Sequence, residues 1–463
     1  MIIKETEFGA PPEELFAGLC DRAGGFLLDS AQAAGGLGAW SFLGFDPFLT
    51  FRSKGDAITV VREGGAETFR GDPLAELRKL MQLHRGAPAA GLPFSGGAVG
   101  YFSYELCALL ERIPRTTSDD LPIPDMEFGF YDGILAFDHA AGRSFLVANP
   151  AGGRDPEVII GNLEQIIRGS SAGGPPAVVE TAGGPPALPP TSNFTEPEYL
   201  AAIARIKEYI RSGDVYQVNL SQRFEAALDC HPYALYRRLR RLSPAPFASY
   251  LNCGAFQVAG SSPERFLRLR GDRIETRPIK GTRPRGRDAA EDARLGAELL
   301  ASEKDRAELL MIVDLERNDL GRVCAAGSIQ VDEIFRLETH PTVHHLVAVV
   351  SGRLRSRGDV LDCIRAMFPG GSITGAPKIR AMQIIDELEP CRRHLYTGAV
   401  GYLGFDGNCD LNIAIRTICC VGGRAYYHAG GGIVWDSMPG DEYQETLDKA
   451  RAMREAVTDR RTI

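Results

Sequence analysis

"RIETRPIKGTRPRG", Arg273–Gly286, starts as a strand and ends as a turn. In its first half, charged Arg273, Glu275 and Arg277 alternate with Ile274 and Thr276, the two-residue period of a strand. In its second half Pro278, Gly281, Pro284 and Gly286 frame Lys280, with Arg277, Arg283 and Arg285 nearby. A lysine desolvated beside other cations can shed its proton and serve as a nucleophile.

Further runs of the same kind surround it: "GRSFLVANP" (142–150), "AFQVAGSS" (255–262), "AVGYLGF" (399–405) and "RAYYHAGGGIVW" (424–435), several at hairpin-like spacing. Helical periodicity marks 195–213, where Thr195 and Glu198 form a capping-box pair, 294–319 and 440–457. Strands come in runs instead of alternating with helices. The expected fold is therefore α+β, with large antiparallel sheets in a sandwich flanked by helices.

The 463 residues are 44% hydrophobic, enough for a sizeable core and against disorder as the main theme. The net charge of -8, with no basic cluster, excludes a nucleic-acid or anionic-membrane footprint and favours a small-molecule partner. Ten cysteines form no CxxC and no Cys/His zinc spacing, which fits a reducing cytoplasm. The start lacks the basic and apolar regions of a signal peptide, and no window approaches the roughly 18 apolar residues of a membrane span. A Gly/Pro-rich stretch containing "AGGPPA" twice divides the chain into an N-terminal region 1–168, a linker 169–192 and a catalytic domain 193–463. The two larger parts are expected to pack together and share sheets.

Acidic residues occur at matched spacing on two predicted helices: Asp305 with Glu308, and Glu442 with Glu445. Three apart, each pair shares a helix face. If the faces converge, the four carboxylates form a Mg²⁺ site; if not, they are solvated, with Glu445 and Lys449 an i,i+4 ion pair. Glycines gather in "FPGGSITGAPK", a helix entry with free backbone N–H groups, and at Gly430, Gly431 and Gly432, where the backbone can approach a carboxylate. Arg416, Tyr396, His345 and Glu264 complete an anion-binding, acid-equipped cleft. The residues themselves carry the reading to an enzyme with an anionic small substrate.

The strings "GSSPERF", "PIKGT", "IVDLERNDLGRV", "VHHLV", "FPGGSITGAPK", "GAVGYL", "IAIRT" and "AGGGIVWDS" go further. In this order they resemble the chorismate-utilising enzymes, the group that includes anthranilate synthase component I, isochorismate synthases and aminodeoxychorismate synthase component I. The resemblance spans Glu196–Val457, with weaker echoes in "LLDS" and "GGAVGYFSYE". "PIKGT" is similar to the aminodeoxychorismate branch, where anthranilate synthases carry "PIAGT". Gln217 stands where water-using relatives carry an activating lysine.

What the resemblance implies is specific. Lys280 attacks C2 of chorismate, Glu264 protonates the departing C4 hydroxyl, and ammonia then adds at C4. Glu308 and Glu445 bind Mg²⁺ directly, and Asp305 and Glu442 act through waters. Arg416 and Tyr396 hold the enolpyruvyl carboxylate with backbone donors from Gly281, Thr282 and Gly430–Gly432, while Thr374 and His345 line the cleft. Ser30 and Pro246 mark a tryptophan pocket. Because the chain contains no GxCxG nucleophile motif, the resemblance implies a separate glutamine amidotransferase subunit as ammonia source. Two alternatives stay open: an anthranilate synthase component I, and a non-catalytic subunit that binds chorismate or tryptophan.

Overall fold

The computed structural model describes residues 1–32, 37–172, 189–341, 343–355 and 358–458. Among them the strands form two sheets of twelve, and every pairing between named strands is antiparallel. The expected α+β sandwich is what the chain builds. Residues 173–188, most of the Gly/Pro-rich stretch, lie outside the described residues. The helix Pro156–Ala172 carries regular structure past residue 168, and Thr191–Ser192 already pairs with Gln217–Ala227.

Neither half of the sequence closes a sheet of its own. In the first sheet Phe26–Asp29 pairs with Phe247–Asn252; in the second, Gly97–Phe102 pairs with Ala399–Gly404. The strand Gly97–Phe102 shows why it is apolar throughout: Val99 and Tyr101 enter the core between the sheets, and Ala98 and Phe102 enter the core under the outer helices. With apolar layers on both faces, alternation of hydrophobic with polar residues disappears. Phe42, Val258 and Cys419 from the first sheet meet Tyr131 and Tyr402 from the second in the central layer. Helices cover the outer faces, Glu303–Gly321 packing on the second sheet and Pro439–Thr458 on the first.

One expected helix is two. The periodicity over 294–319 reads as continuous, yet the chain forms Ala289–Ala301 and then Glu303–Gly321, broken at Ser302. Ser302 ends the first helix, and its hydroxyl accepts the Asp305 N–H at 3.3 Å as the cap of the second. The break places Asp305 in a first turn, where the helix dipole favours a carboxylate. The helix 196–211 begins with the expected capping box at Thr195 and Glu198.

Candidate active site

Lys280 lies on the edge strand Ile279–Pro284, paired with Val343–Arg353. The register shifts between Lys280 and Thr282, and Gly281 at the irregularity has φ +76°. A Cβ there would lie 2.8 Å from Leu299 Cδ1 and 3.0 Å from Asp305 Cβ, so only glycine brings this strand against the helix carrying Asp305. Lys280 is half-buried as a residue and crowded by protein. Burial lowers its pKa, Lys449 adds to the effect, and Glu308, Glu264 and Glu445 oppose it. The three arginines do not contribute as their proximity in sequence suggested. Arg277 pairs with Glu338, Arg283 bonds Glu298 at 3.0 Å and Asp305 at 3.1 Å, and Arg285 grips Asp292 at 2.7 Å.

Glu264 is buried beneath this lysine. Its Oε1 accepts Ser372 Oγ at 2.7 Å and the Ile279 N–H at 3.3 Å. Burial pushes its pKa up to about 7, against the pull of Ser372, Lys280, the Ile279 amide and Lys449. A carboxyl half-protonated near neutrality beside a lysine with a depressed pKa is an acid matched to a nucleophile.

The two acidic pairs stand on facing walls. A Cβ on Gly431 would meet Glu442 Oε2 at 3.0 Å and Glu445 Oε1 at 3.5 Å, while Gly281 abuts Asp305. Burial raises the pKa of Glu308, with Asp305 and Glu445 adding repulsion; burial also raises Glu442, again with Glu445 against it. Glu445 is held down by Lys449, at 2.6 Å, so the i,i+4 ion pair and the cleft-facing position coexist. No three of these carboxylates bring oxygens within 4.8 Å of one another. The one His/Cys/Asp/Glu group that does among the described residues, Cys20, Asp21 and His231, has its histidine bonded to Asp21 at 2.9 Å and its thiol pushed up to about 12 by burial. Two mutually repelling pairs of hard oxygen donors, too far apart for an all-protein cage, fit an ion that keeps several waters.

An anion pocket adjoins them. Arg416, at φ +49°, forms no ion pair within 4.0 Å among the described residues; its side chain donates to Ser243 Oγ at 3.4 Å, and burial lowers its pKa. Such a guanidinium is poised for a ligand carboxylate. His345 bonds Thr282 Oγ1 at 3.0 Å and is kept neutral by burial and by Arg416 and His340. Tyr396 stacks on His428, centroids 4.9 Å apart, and burial raises its pKa to about 12. Thr374 is buried at the end of the turn Gly371–Ile373, its hydroxyl donating to Gly370 O at 3.0 Å. Gly430, Gly431 and Gly432 pair with Ser221, Leu220 and Asn219.

Residues beyond the expected set also face the cleft. Both amide atoms of Gln217 are buried without a hydrogen-bond partner, and Asn219, whose side chain acts on Tyr396, lies two residues along on the same strand face. Lys449 donates to Gly430 O at 3.0 Å, and Arg393 ties Ile373 O at 3.1 Å and Asn219 O at 2.6 Å to Glu389. Lys449 was legible as an ion-pair partner but not as a cleft residue; Arg393 left no signal, since its partners are distant backbone carbonyls. Ser30 and Pro246 do line one cavity, of about 130 Å³, with Trp40, Arg268 and Asp410. Asp29, which also lines it, bonds Arg240 at 2.5 Å and Tyr236 at 2.9 Å. Among the described residues no helix is long and apolar enough to cross a membrane.

A family model for chorismate binding enzymes matches residues 26–455. Over 436 residues the chain is 42% identical to aminodeoxychorismate synthase component 1 of Bacillus subtilis, covering 93% of this chain and 91% of that protein. It is 41% identical over 439 residues to anthranilate synthase component 1 of Thermus thermophilus, with 93% and 92% covered. The crystal structure of anthranilate synthase component I from Streptococcus pneumoniae superposes with a TM-score of 0.79 at 33% identity, covering 90% of this chain and 92% of that one. The menaquinone-specific isochorismate synthase of Escherichia coli shares the fold at a TM-score of 0.72 and 17% identity, over 98% of this chain and 94% of that one.

Proposed function

The chain belongs to the chorismate-binding enzyme family, and from that premise we propose that it is an aminodeoxychorismate synthase component, converting chorismate and ammonia to 4-amino-4-deoxychorismate. The observation that carries this reading is the pairing of Lys280, its pKa lowered by burial, with Glu264, its pKa raised by burial to about 7. The neutral amine of Lys280 forms a bond to C2 of the cyclohexadiene as the ring double bonds shift and the C4–O bond breaks. Glu264 gives its proton to the departing hydroxyl, which leaves as water. Ammonia then bonds to C4, the shift reverses, and the C2–N bond breaks to return Lys280 as an amine.

Glu308 and Glu445 would hold Mg²⁺, with Asp305 and Glu442 acting through its waters; when bound, the ion neutralises and orients the ring carboxylate. Arg416 and Tyr396 receive the enolpyruvyl carboxylate, with N–H groups of Gly281, Thr282 and Gly430–Gly432 beside it. Thr374 and His345 close the cleft. His345, kept neutral, offers a hydrogen bond without a charge that would draw the carboxylate from Arg416. Ammonia comes from a separate glutamine amidotransferase subunit, and the cavity at Ser30 and Pro246 is a tryptophan pocket.

The similarity to anthranilate synthases favours a second reading, in which ammonia attacks C2 directly and pyruvate leaves. Incubating the chain with chorismate, Mg²⁺ and ammonium separates the two. The expected product is 4-amino-4-deoxychorismate; fluorescent anthranilate with stoichiometric pyruvate would overturn the proposal.

A further inference from the structure

Glu316 and Asp319 lie on the same helix as Asp305 and Glu308, with Glu316 about 12 Å along the axis from Glu308 at the helical rise per residue. Both are buried. Asp319 pairs with Lys378, which also donates to Met367 O at 2.7 Å. Glu316 forms no ion pair among the described residues. Its Oε1 accepts the Gly371 N–H at 3.2 Å, and its Oε2 is buried without a partner. The contact is close: a Cβ on Gly371 would sit 2.6 Å from Leu315 Cδ2 and 3.2 Å from Glu316 Oε1. Gly371 opens the turn whose next residue, Ser372, holds Oε1 of Glu264. Thus a carboxyl outside the cleft touches the support of the carboxyl inside it.

We propose that Glu316 is a positioning residue for Glu264: by accepting the Gly371 N–H it seats the turn Gly371–Ile373 and so fixes Ser372, which donates to Glu264 Oε1. The inference rests on Glu264 being the acid of the proposed reaction. Burial pushes Glu316 itself up to about 8, with Asp319 and Glu264 adding to the effect and Lys378 and the Gly371 amide opposing it. Lys280, Lys449, Ser372 and the Ile279 amide pull Glu264 the other way. Arg322 faces the cluster through Asp319.

The test compares kcat against pH for the full chain, Glu316→Gln, Glu316→Leu and Glu264→Gln, with chorismate, Mg²⁺ and a constant concentration of free ammonia. Glu316→Gln keeps the acceptor and the shape, so at pH 6 its kcat stays within about twofold of the parent and its alkaline midpoint is unchanged. Glu316→Leu removes the acceptor and lowers kcat at pH 6 about tenfold with KM nearly unchanged, a loss that glutamine rescues. A kcat in Glu316→Gln as low as in Glu316→Leu, or full kcat in Glu316→Leu, overturns the proposal. If Glu264→Gln retains the parental alkaline limb, the reading of Glu264 as the acid fails instead.

Discussion

Lys280 and Gly432 face each other across the cleft so closely that a methyl group on Gly432 would lie 3.4 Å from Lys280 Nζ and 2.5 Å from Gln217 Nε2. The two residues come from different sheets, one on an edge strand and the other near the end of a long one. In the proposed reaction the ring carbon bonded to the lysine would lie beside Gly432. Gly432→Ala should therefore damage turnover more than folding, because Gln217 can swing away but substrate cannot. The expected loss in kcat/KM is about 100-fold, since displacements near 1 Å cost that much, with the melting temperature nearly unchanged. Wild-type kinetics in this variant would count against the placement.

In the proposed reaction Lys280→Ala removes the nucleophile. Formation of 4-amino-4-deoxychorismate should fall by about 1,000-fold or more, and anthranilate should emerge as ammonia gains direct access to C2. Chromatography of the products decides it: undiminished 4-amino-4-deoxychorismate would take the lysine out of the mechanism.

Glu264 predicts a pH dependence with a definite sign. Its folded pKa of about 7 lies above the ordinary 4.5, so the proton it donates is present below pH 7 and lost above. At constant free ammonia, kcat should fall above about pH 7; in Glu264→Gln this limb disappears and the plateau drops by about 10²- to 10⁴-fold. The same shift means that burying Glu264 costs stability progressively between about pH 4.5 and 7. Glu264→Gln should accordingly be more stable than the parent at pH 8 and not at pH 4, as read by urea denaturation.

Glu445→Gln should raise the Mg²⁺ concentration for half-maximal activity by about tenfold or more, in keeping with losses seen when metal-site residues are changed. It also frees Lys449 from its partner at 2.6 Å. Lys449→Met separates the two effects, because it removes the ion pair while leaving the carboxylate. An unchanged magnesium titration in Glu445→Gln would remove Glu445 from the metal set.

Arg393→Ala should destabilise the fold by about 3–5 kcal/mol, because it strands the buried carboxylate of Glu389. It also releases the Ile373 and Asn219 carbonyls. Denaturant midpoints measure this; a change under about 1 kcal/mol would show that the site relaxes around the loss.

By itself, the sequence determined the class of fold and the chorismate-binding family. Strand-like runs such as Arg424–Ile433 and the capping box at Thr195 are local patterns, and local patterns are set by neighbouring residues. The break at Ser302 was missed because helical periodicity continues across it. Tertiary structure alone decided which charges matter. Arg277, Arg283 and Arg285 adjoin Lys280 in the chain yet are neutralised by Glu338, Glu298, Asp305 and Asp292, while Lys449, far away in sequence, acts on its amine. Electrostatics and desolvation follow distance in space, and that distance is fixed only when strands from both halves of the chain have paired.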